Sequence, residues 1–429
     1  MVGSSPQTGG LHLLVYGDPD LGVSAQLRIG LYREPLAALG IEVRSWSSFA
    51  GDVLSGGAGG AIAAPTGGVG ERPDAAALRE IGLTAIAWAD VILFRRFSST
   101  HSVCTECEAV FAGPEEHARH LAQAGHYSVP TDRLFRPVVE LLASHPELLG
   151  GRSIVYETDD DLLDCPDWTG LGPTTRRERD LIESLLGMAD LVVTTTPVLA
   201  GRLARASKAP VRVIRNALEP AWYAPVAANE YLDAPGDPRV VYHGVPVRLR
   251  DYEIARPAVE AVAREFPALR RVWLGAANEP RVVAAVDEVR PWVDGSAEFA
   301  AALVAARPDI GLAPLRDEAF NRAKSELHWL EYSLAGAATI VSGFRSGGPY
   351  DVIRDGVDGL VARTPADWAH HLRALTSSRD IRSEIAGRAR ERVLAEYTVA
   401  NRAPEWADAY RWAAEHPGVA RGRNGAGAR

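Results

Sequence analysis

The sequence is poor in lysine, in cysteine and in long apolar runs, and these shortages set the first limits on what it encodes. Only Lys208 and Lys324 are lysines among the 46 basic residues of the 429-residue chain. Three cysteines in such a length do not make a disulfide framework. No run of 18 apolar residues occurs, and the amino terminus lacks the charged and apolar regions of a secretory signal. We therefore expect a cytoplasmic protein with no transmembrane segment.

The chain also lacks any excess of positive charge. Its net charge of -9 argues against a general binder of nucleic acid or of anionic membranes. Short apolar runs alternate instead with helical stretches, which is typical of parallel sheets covered on both faces. The predicted strands are 11–16, 41–46, 90–94, 153–157, 191–195, 211–214, 240–243, 271–275, 309–313, 338–342 and 359–362.

The stretch from Asp309 to Gly336 carries the clearest functional pattern. A short apolar strand ends at Pro314, and a helix is predicted from about Arg322 to Ala335. In an open α/β sheet, ligands bind where a strand's carboxyl end meets the next helix. Lys324 and Glu331 would lie on one helix face, about 10 Å apart. A lysine at a helix amino end suits a phosphate, although a solvated surface charge is the alternative interpretation.

The residues FNRAKSELHWLEYSLAG, with GGPYDVIRDGVDGLVA downstream and DIGLAPL upstream, resemble GT-B glycosyltransferases of the retaining, family-four-like kind. The resemblance implies two facing Rossmann-like domains with a cleft between them. It also implies transfer of a sugar, with retention, from a nucleoside diphosphate sugar to an acceptor hydroxyl, without a metal in the transfer chemistry. In that family the second acid of a paired-glutamate motif holds the donor ribose, and Glu331 matches this position. The first acid would fall at Ala323, so the motif is incomplete here.

The domain boundaries follow from composition and from this resemblance. We predict an acceptor domain over residues 1–218, a proline-rich linker over 219–238 and a nucleotide-sugar-binding domain over 239–398. A final helix over 399–415 would cross back to the first domain, as in the resembling fold. Residues 416–429 have no core-forming pattern and are predicted to be disordered.

The catalytic prediction is electrostatic. Lys324 and an arginine of the loop after the first strand of the second domain, Arg248 or Arg250, would stabilise the departing diphosphate. Gly244 would permit close backbone approach in that loop. The Asp triplet that begins at Asp159 could cap a local turn, line the cleft or, less favourably, hold a metal. The remaining predicted substrate contacts are Asn321, Arg322, Ser325, Asp159, Asp160, Gly17 and Arg28.

A metal signal lies within the first domain, in the segment 101–128. Cys104, Cys107, His120 and His126 have the spacing of a C2H2 zinc finger, which predicts a structural zinc ion. His117 could compete as a ligand, and a coincidental grouping is the alternative. The positions that read bases in such a finger are Gly113, Glu116 and Arg119 here. Glu115 and Glu116 would face a polyanion and only Arg119 would help, so we expect contact with a protein and not with nucleic acid. A noncatalytic adaptor that uses this finger is therefore the rival to the enzyme hypothesis.

Overall fold

The computed structural model describes residues 10–16, 26–46, 49, 75–95, 102–104, 110–111, 128–169, 174–224, 237–244, 248–275, 285–293 and 295–419. Across these ranges, no helix combines the length and the apolar character needed to span a membrane.

The first half of the chain builds a six-stranded sheet in which every neighbouring pair is parallel. Its strands are β1 (Leu11–Tyr16), β2 (Ile41–Ser45), β3 (Val91–Arg95), β7 (Ser153–Thr158), β8 (Leu191–Thr194) and β9 (Val211–Val213), and between them come β4 (Ser102–Cys104), β5 (Val110–Phe111) and β6 (Ser128–Pro130). The sheet order is β2-β1-β3-β7-β8-β9. The order therefore reverses at the crevice between β1 and β3, which is the ligand-binding position of such folds.

The second half repeats this plan with a different order. Its parallel strands are β10 (Arg239–His243), β11 (Arg270–Leu274), β12 (Glu288–Arg290), β13 (Ile310–Ala313), β14 (Ala338–Ser342) and β15 (Leu360–Ala362). They are arranged as β12-β11-β10-β13-β14-β15, the order of dinucleotide-binding folds. Here the order reverses between β10 and β13.

Helices cover both faces of the two sheets. In chain order they are α1 (Arg33–Ala38), α2 (Ala75–Trp88), α3 (Thr131–Ser144), α4 (Arg176–Met188), α5 (Pro197–Ala206), α6 (Leu249–Tyr252), α7 (Arg256–Glu265), α8 (Ser296–Ala305), α9 (Ala319–Arg322), α10 (Leu327–Leu334), α11 (Pro365–Ser377), α12 (Arg379–Glu396) and α13 (Val399–Glu415). Short 3-10 helices lie at Gly30–Tyr32, Pro146–Leu149, Asp167–Thr169, Pro220–Tyr223 and Pro349–Val352.

Each sheet separates two apolar clusters because alternate residues of a strand point to opposite faces. Leu14 of β1 belongs to the cluster beneath α2, α3 and α4, whereas its neighbour Leu13 belongs to the opposite cluster. In the second sheet, Val241 and Val240 of β10 divide in the same way. Burial on both faces explains why these strands appear in the sequence as continuous apolar runs.

The last helix, α13, crosses back to the first domain as predicted. Trp406 and Tyr410 are fully buried in a first-domain cluster. The predicted disordered tail begins too early, because the backbone N–H of Gly418 donates a hydrogen bond of 2.8 Å to Asp190. The first residues after α13 therefore still contact the first domain.

The segment that contains the predicted zinc finger begins and ends in a small sheet of its own. Strands β5, β4 and β6 pair in that order, and both pairs are antiparallel. Cys104 is the last residue of β4, but Cys107, His120 and His126 lie outside the described residues. The finger itself remains a prediction.

Candidate functional site

The crevice of the second sheet lies at the carboxyl ends of β10 and β13. His243 is the last residue of β10 and is only 3% exposed. The backbone of the next residue, Gly244, passes so close to Gly275 that a side-chain carbon there would lie 2.1 Å from the Gly244 carbonyl oxygen. Gly275 also has a φ of 146°. This close approach of two backbones requires glycine at Gly275, whereas the predicted approach of a substrate to Gly244 stays a prediction.

Tyr332 holds His243 in position from α10. Its hydroxyl donates to the carbonyl of Val241 at 2.9 Å and accepts the backbone N–H of His243 at 3.2 Å. The tyrosine ring lies against Gly311 of β13, where an added side-chain carbon would come within 2.4 Å of the ring. Tyr332 of α10 thus passes over Gly311 of β13 and forms hydrogen bonds with the backbone of β10. These contacts hold α10 at the crevice between the two strands.

Glu331 and His328, both on α10, meet His243 there. The Nε2 atom of His243 lies 3.3 Å from Oε2 of Glu331, and its ring centroid lies 4.2 Å from that of His328. Glu331 is 4% exposed, whereas His328 is half-buried. Glu331 was expected at the donor site from the family motif, but the two histidines were missed. Their signal in the sequence is weak: one ends an apolar strand, and the other precedes Glu331 by three residues.

Positive charge surrounds His328. Burial lowers the pKa of its imidazole well below the ordinary value, and the charges of His243, Arg248 and Lys324 lower it further. His328 is therefore a neutral imidazole at neutral pH. The same interactions place Arg248 and Lys324 within electrostatic range of the His243–Glu331 pair.

Lys324 lies in the linker before α10, which corrects the predicted single helix from about Arg322 to Ala335. Helix α9 ends at Arg322 and α10 begins at Leu327, so Lys324 and Glu331 do not share a helix face. The physical reason is tertiary. The chain leaves helical geometry to bury Asn321 and Glu326 completely, and each makes a polar contact with another element.

The Lys324 ammonium contacts the carboxylate of Asp160, which lies just after β7 in the first domain. These two predicted site residues, 164 positions apart in the sequence, meet where the domains face each other. Thr196 makes a further contact here, since its hydroxyl donates to the carbonyl of Ala323 at 3.1 Å. Ala323 itself is 1% exposed and packs in an apolar cluster of the first domain.

Two more polar pairs join the domains through the two residues that follow Lys324. The amide of Asn216 donates to the Ser325 hydroxyl at 2.9 Å, and Arg215 donates to the carboxylate of Glu326 at 3.1 Å. Burial raises the pKa of Glu326, and the charge of Arg215 opposes that shift. Ser325, predicted as a substrate contact, is thus a domain contact, and sequence reasoning missed Glu326 altogether.

The two candidate arginines after β10 have different surroundings. Arg250 forms two hydrogen bonds with Glu318, at 2.8 and 3.1 Å, and its guanidinium lies 4.0 Å from the ring centroid of Trp168. Arg248 is held more loosely, at 3.6 Å from Asp251. Arg250 therefore serves as a link between domains, and Arg248 is the better placed of the two for a ligand.

Three other predicted contacts have structural partners. The Asn321 amide donates to Asp251 at 3.0 Å, and Arg322 pairs with Asp317 on the surface. Arg28, expected to face a cleft, is instead 1% exposed. Its guanidinium lies 2.7 Å from Glu157 and 4.7 Å from the ring centroid of Trp406.

Asp159 and Gly17 complete the predicted set. Asp159 lies 3.8 Å from the guanidinium of Arg95, which itself lies 3.1 Å from Glu157. Glu157 is the second-last residue of β7 and Asp159 directly follows the strand, so both lie at the carboxyl edge of the first sheet. Gly17 lies outside the described residues.

Comparison with known proteins agrees with this geometry. Residues 250–408 match the family model described as "Glycosyl transferase-like", a span that contains Lys324 and Glu331. No curated protein matches the sequence significantly.

Solved structures with the same architecture cover nearly the whole chain. HepE from Anabaena, solved with UDP-glucose, has a TM-score of 0.55 at 14% identity, over 92% of this chain and 98% of that one. Sucrose-phosphate synthase from Thermosynechococcus elongatus has a TM-score of 0.53 at 16% identity, over 94% and 98% of the two chains. A glycosyltransferase from Rickettsia africae has a TM-score of 0.51 at 13% identity, over 94% and 98%. The predicted GT-B fold, with its two facing Rossmann-like domains, is confirmed.

Proposed function

We propose that the protein is a glycosyltransferase that moves a sugar from a nucleoside diphosphate sugar to an acceptor hydroxyl. The observation that carries the proposal is the position of Lys324, a cation at the domain boundary beside the second crevice, within the residues that match the glycosyltransferase-like family. A cation that faces both domains suits a donor diphosphate bound between them.

The proposed chemistry breaks the bond between the anomeric carbon and the diphosphate oxygen, and forms one from that carbon to the acceptor oxygen, which loses its proton. Negative charge develops on the departing diphosphate. Lys324, assisted by Arg248, would stabilise this charge, since both lie within electrostatic range of His328 at the crevice. Asp160 contacts the Lys324 ammonium and would have to yield it to the phosphate. Retention at the anomeric carbon stays part of the proposal.

Glu331 is proposed to accept hydrogen bonds from the donor ribose. Its carboxylate lies at the end of β10, in the crevice where nucleotides bind in sheets of this order. UDP is the first nucleotide to test, because Anabaena HepE of the same fold was solved with UDP-glucose.

Slow hydrolysis of donors tests the proposal without a known acceptor. We expect one nucleoside diphosphate sugar of a panel to be hydrolysed and its nucleoside diphosphate to raise the melting temperature through binding linkage. A panel in which no donor is hydrolysed and no nucleotide stabilises the fold would contradict the enzyme proposal.

The rival proposal, a noncatalytic adaptor, rests on Ala323. Where the resembling family has an acid, this chain packs a methyl group among apolar residues of the first domain. Nucleotide-induced stabilisation without hydrolysis of any donor would favour the adaptor.

A further inference from the structure

The inference starts from two buried polar atoms. Nε2 of His243 and Oε2 of Glu331 are buried, yet neither makes a hydrogen bond within the part of the chain that the structure describes. The two atoms face each other at 3.3 Å. A buried polar atom without a partner costs free energy, on the order of 1–3 kcal/mol. Such a pair therefore indicates a ligand that contacts both atoms.

His328 is the third side chain near these two atoms. One potential ligand atom from each of His243, His328 and Glu331 lies within 4.8 Å of the other two. His328 and Glu331 are three residues apart on α10, so both project from the same helix face. His243 is fixed by its backbone bond to Tyr332 and by Phe299, whose ring centroid lies 5.0 Å away.

The His243–Glu331 distance fits a transition-metal ion, and His328 would approach from within 4.8 Å to complete the site. Ligand atoms that lie 2.0–2.1 Å from a tetrahedral zinc ion are about 3.3 Å from each other, and the His243–Glu331 separation has this value. Two imidazoles and one carboxylate are a ligand set that zinc-class ions favour. The partly exposed side of His328 leaves a fourth position for water or another ligand. The nearby charges of Arg248 and Lys324 repel a cation, so we expect moderate affinity.

We propose that His243, His328 and Glu331 form a zinc-class metal site that overlaps the donor subsite. Because Glu331 would serve both ligands, metal and nucleotide would exclude each other. The metal would thus be an inhibitor that competes with the donor and takes no part in the transfer. The overlap rests on the function proposed above, whereas metal binding itself does not.

Cobalt(II) is a suitable probe because its visible absorption reports the number and type of its ligands. We propose to titrate the full chain with cobalt and to compare it with His328→Gln, Glu331→Gln and the control His370→Gln. His370 is an exposed histidine of α11. Each site variant should bind about one equivalent less than the wild-type chain, and the control should bind the same amount. Any cobalt held by the predicted finger would show thiolate charge-transfer absorption and would be equal in all four proteins.

Equal cobalt stoichiometry and spectra in the wild-type chain and in both site variants would overturn the metal site. Circular dichroism of the variants would separate lost ligands from lost folding, and Glu331→Gln keeps the shape of the side chain. If His243 and Glu331 contact only each other and bind no metal, we expect no difference between these proteins.

A second titration tests the overlap. UDP should displace cobalt from the site formed by His243, His328 and Glu331. Saturating zinc should raise the Kd of the wild-type chain for UDP at least tenfold. Simultaneous binding of UDP and cobalt would overturn the overlap. If no nucleoside diphosphate of the panel binds but the cobalt site is present, the donor proposal fails and the metal site stands.

Discussion

A buried glutamate lies at the carboxyl edge of each sheet, but the two glutamates have different kinds of partner. At the carboxyl edge of the first sheet, Glu157 is fully buried between Arg28 and Arg95, at 2.7 and 3.1 Å. Both partners are arginines, which keep their charge at any physiological pH. This cluster is therefore a permanent part of the first domain's core.

At the second edge, the buried carboxylate of Glu331 faces His243 and His328 instead. Imidazoles can be charged or neutral, and they can bind metals. Arginine partners hold Glu157 in ion pairs at any physiological pH, whereas imidazole partners can leave Glu331 to a ligand. The comparison teaches that burial of a carboxylate alone does not identify a site, because the kind of partner decides.

The largest expected effect follows from breaking the first cluster. Glu157→Gln leaves two buried guanidinium groups without their carboxylate, so we expect unfolding free energy to fall by about 3–5 kcal/mol. Urea denaturation measures this loss. The exposed pair Glu265–Arg373 provides the control, since Glu265→Gln should leave stability unchanged. If Glu157→Gln is as stable as the wild type but no longer binds the donor, Glu157 belongs to the ligand site and not to the structural core.

Lys324→Ala should have the next largest effect, which we expect on catalysis, with a smaller loss of stability because buried Asp160 loses its cation. Loss of a charge-assisted phosphate contact is worth about 1.5–3 kcal/mol, which lowers kcat/KM for donor hydrolysis roughly tenfold to a hundredfold. Lys208, the other lysine, is exposed and provides a matched control in Lys208→Ala. An unchanged rate in the Lys324 variant would remove this residue from the site.

Glu331→Gln sharpens the comparison further because it changes a carboxylate that we assign to ligand binding. We expect KM for the donor to rise about fivefold to tenfold, with little change in kcat, since a ribose contact is made equally in the ground and transition states. Steady-state kinetics with the verified donor measure both constants. A fall in kcat at constant KM would place Glu331 in the chemistry instead.

A smaller effect is expected from the ion pair at the edge strand of the second sheet. The hydrogen bonds from Arg271, at 2.7 and 3.0 Å, lower the pKa of Asp287 below its ordinary value. A depressed carboxyl pKa stabilises the fold above the unfolded-state value of ~3.9, and this stability is lost as pH falls through the folded-state value. Asp287→Asn should therefore show a shallower loss of stability in acid. An identical acid profile in both proteins would contradict the assignment.

The predicted zinc finger should affect neither edge. A segment as short as 101–128 needs metal for its local folding, whereas both sheets have apolar clusters of their own. In His328→Gln, which lacks the second proposed site, we expect one zinc per chain by elemental analysis, and local unfolding near residues 100–130 on strong chelation. The melting of the second domain should not change. A chain purified without chelator that contains no zinc would disprove the finger.

Much of the fold could be predicted from the sequence because the strands are apolar on both faces. All eleven predicted strands exist within one residue or two of their bounds, and α13 was placed at Val399–Glu415 as expected. Strand β12 was missed, since Glu288–Arg290 is a short edge strand with polar residues. Edge strands bury less surface and so have a weaker pattern.

The candidate site was predicted only in part, for tertiary reasons. Local spacing singled out Lys324 as a candidate, and the acidic triplet contains Asp160, whose carboxylate the lysine contacts. Spacing could not reveal that the chain unwinds before α10 to bury Glu326 against Arg215. Nor could it show that Arg28 lies beneath Trp406, which follows 378 residues later and arrives only with the returning helix.

That returning helix has a mechanical consequence. The chain passes from one domain to the other near Leu218 and comes back near Val399, and these two crossings are hydrogen-bonded to each other. The Leu218 N–H donates to the Tyr397 carbonyl at 3.0 Å, and the Val399 N–H donates to the Leu218 carbonyl at 3.1 Å. The two covalent crossings between the domains thus lie side by side. If the domains move apart, these paired crossings favour a rotation about them over a separation, and Lys324 and Asp160 would then part along an arc.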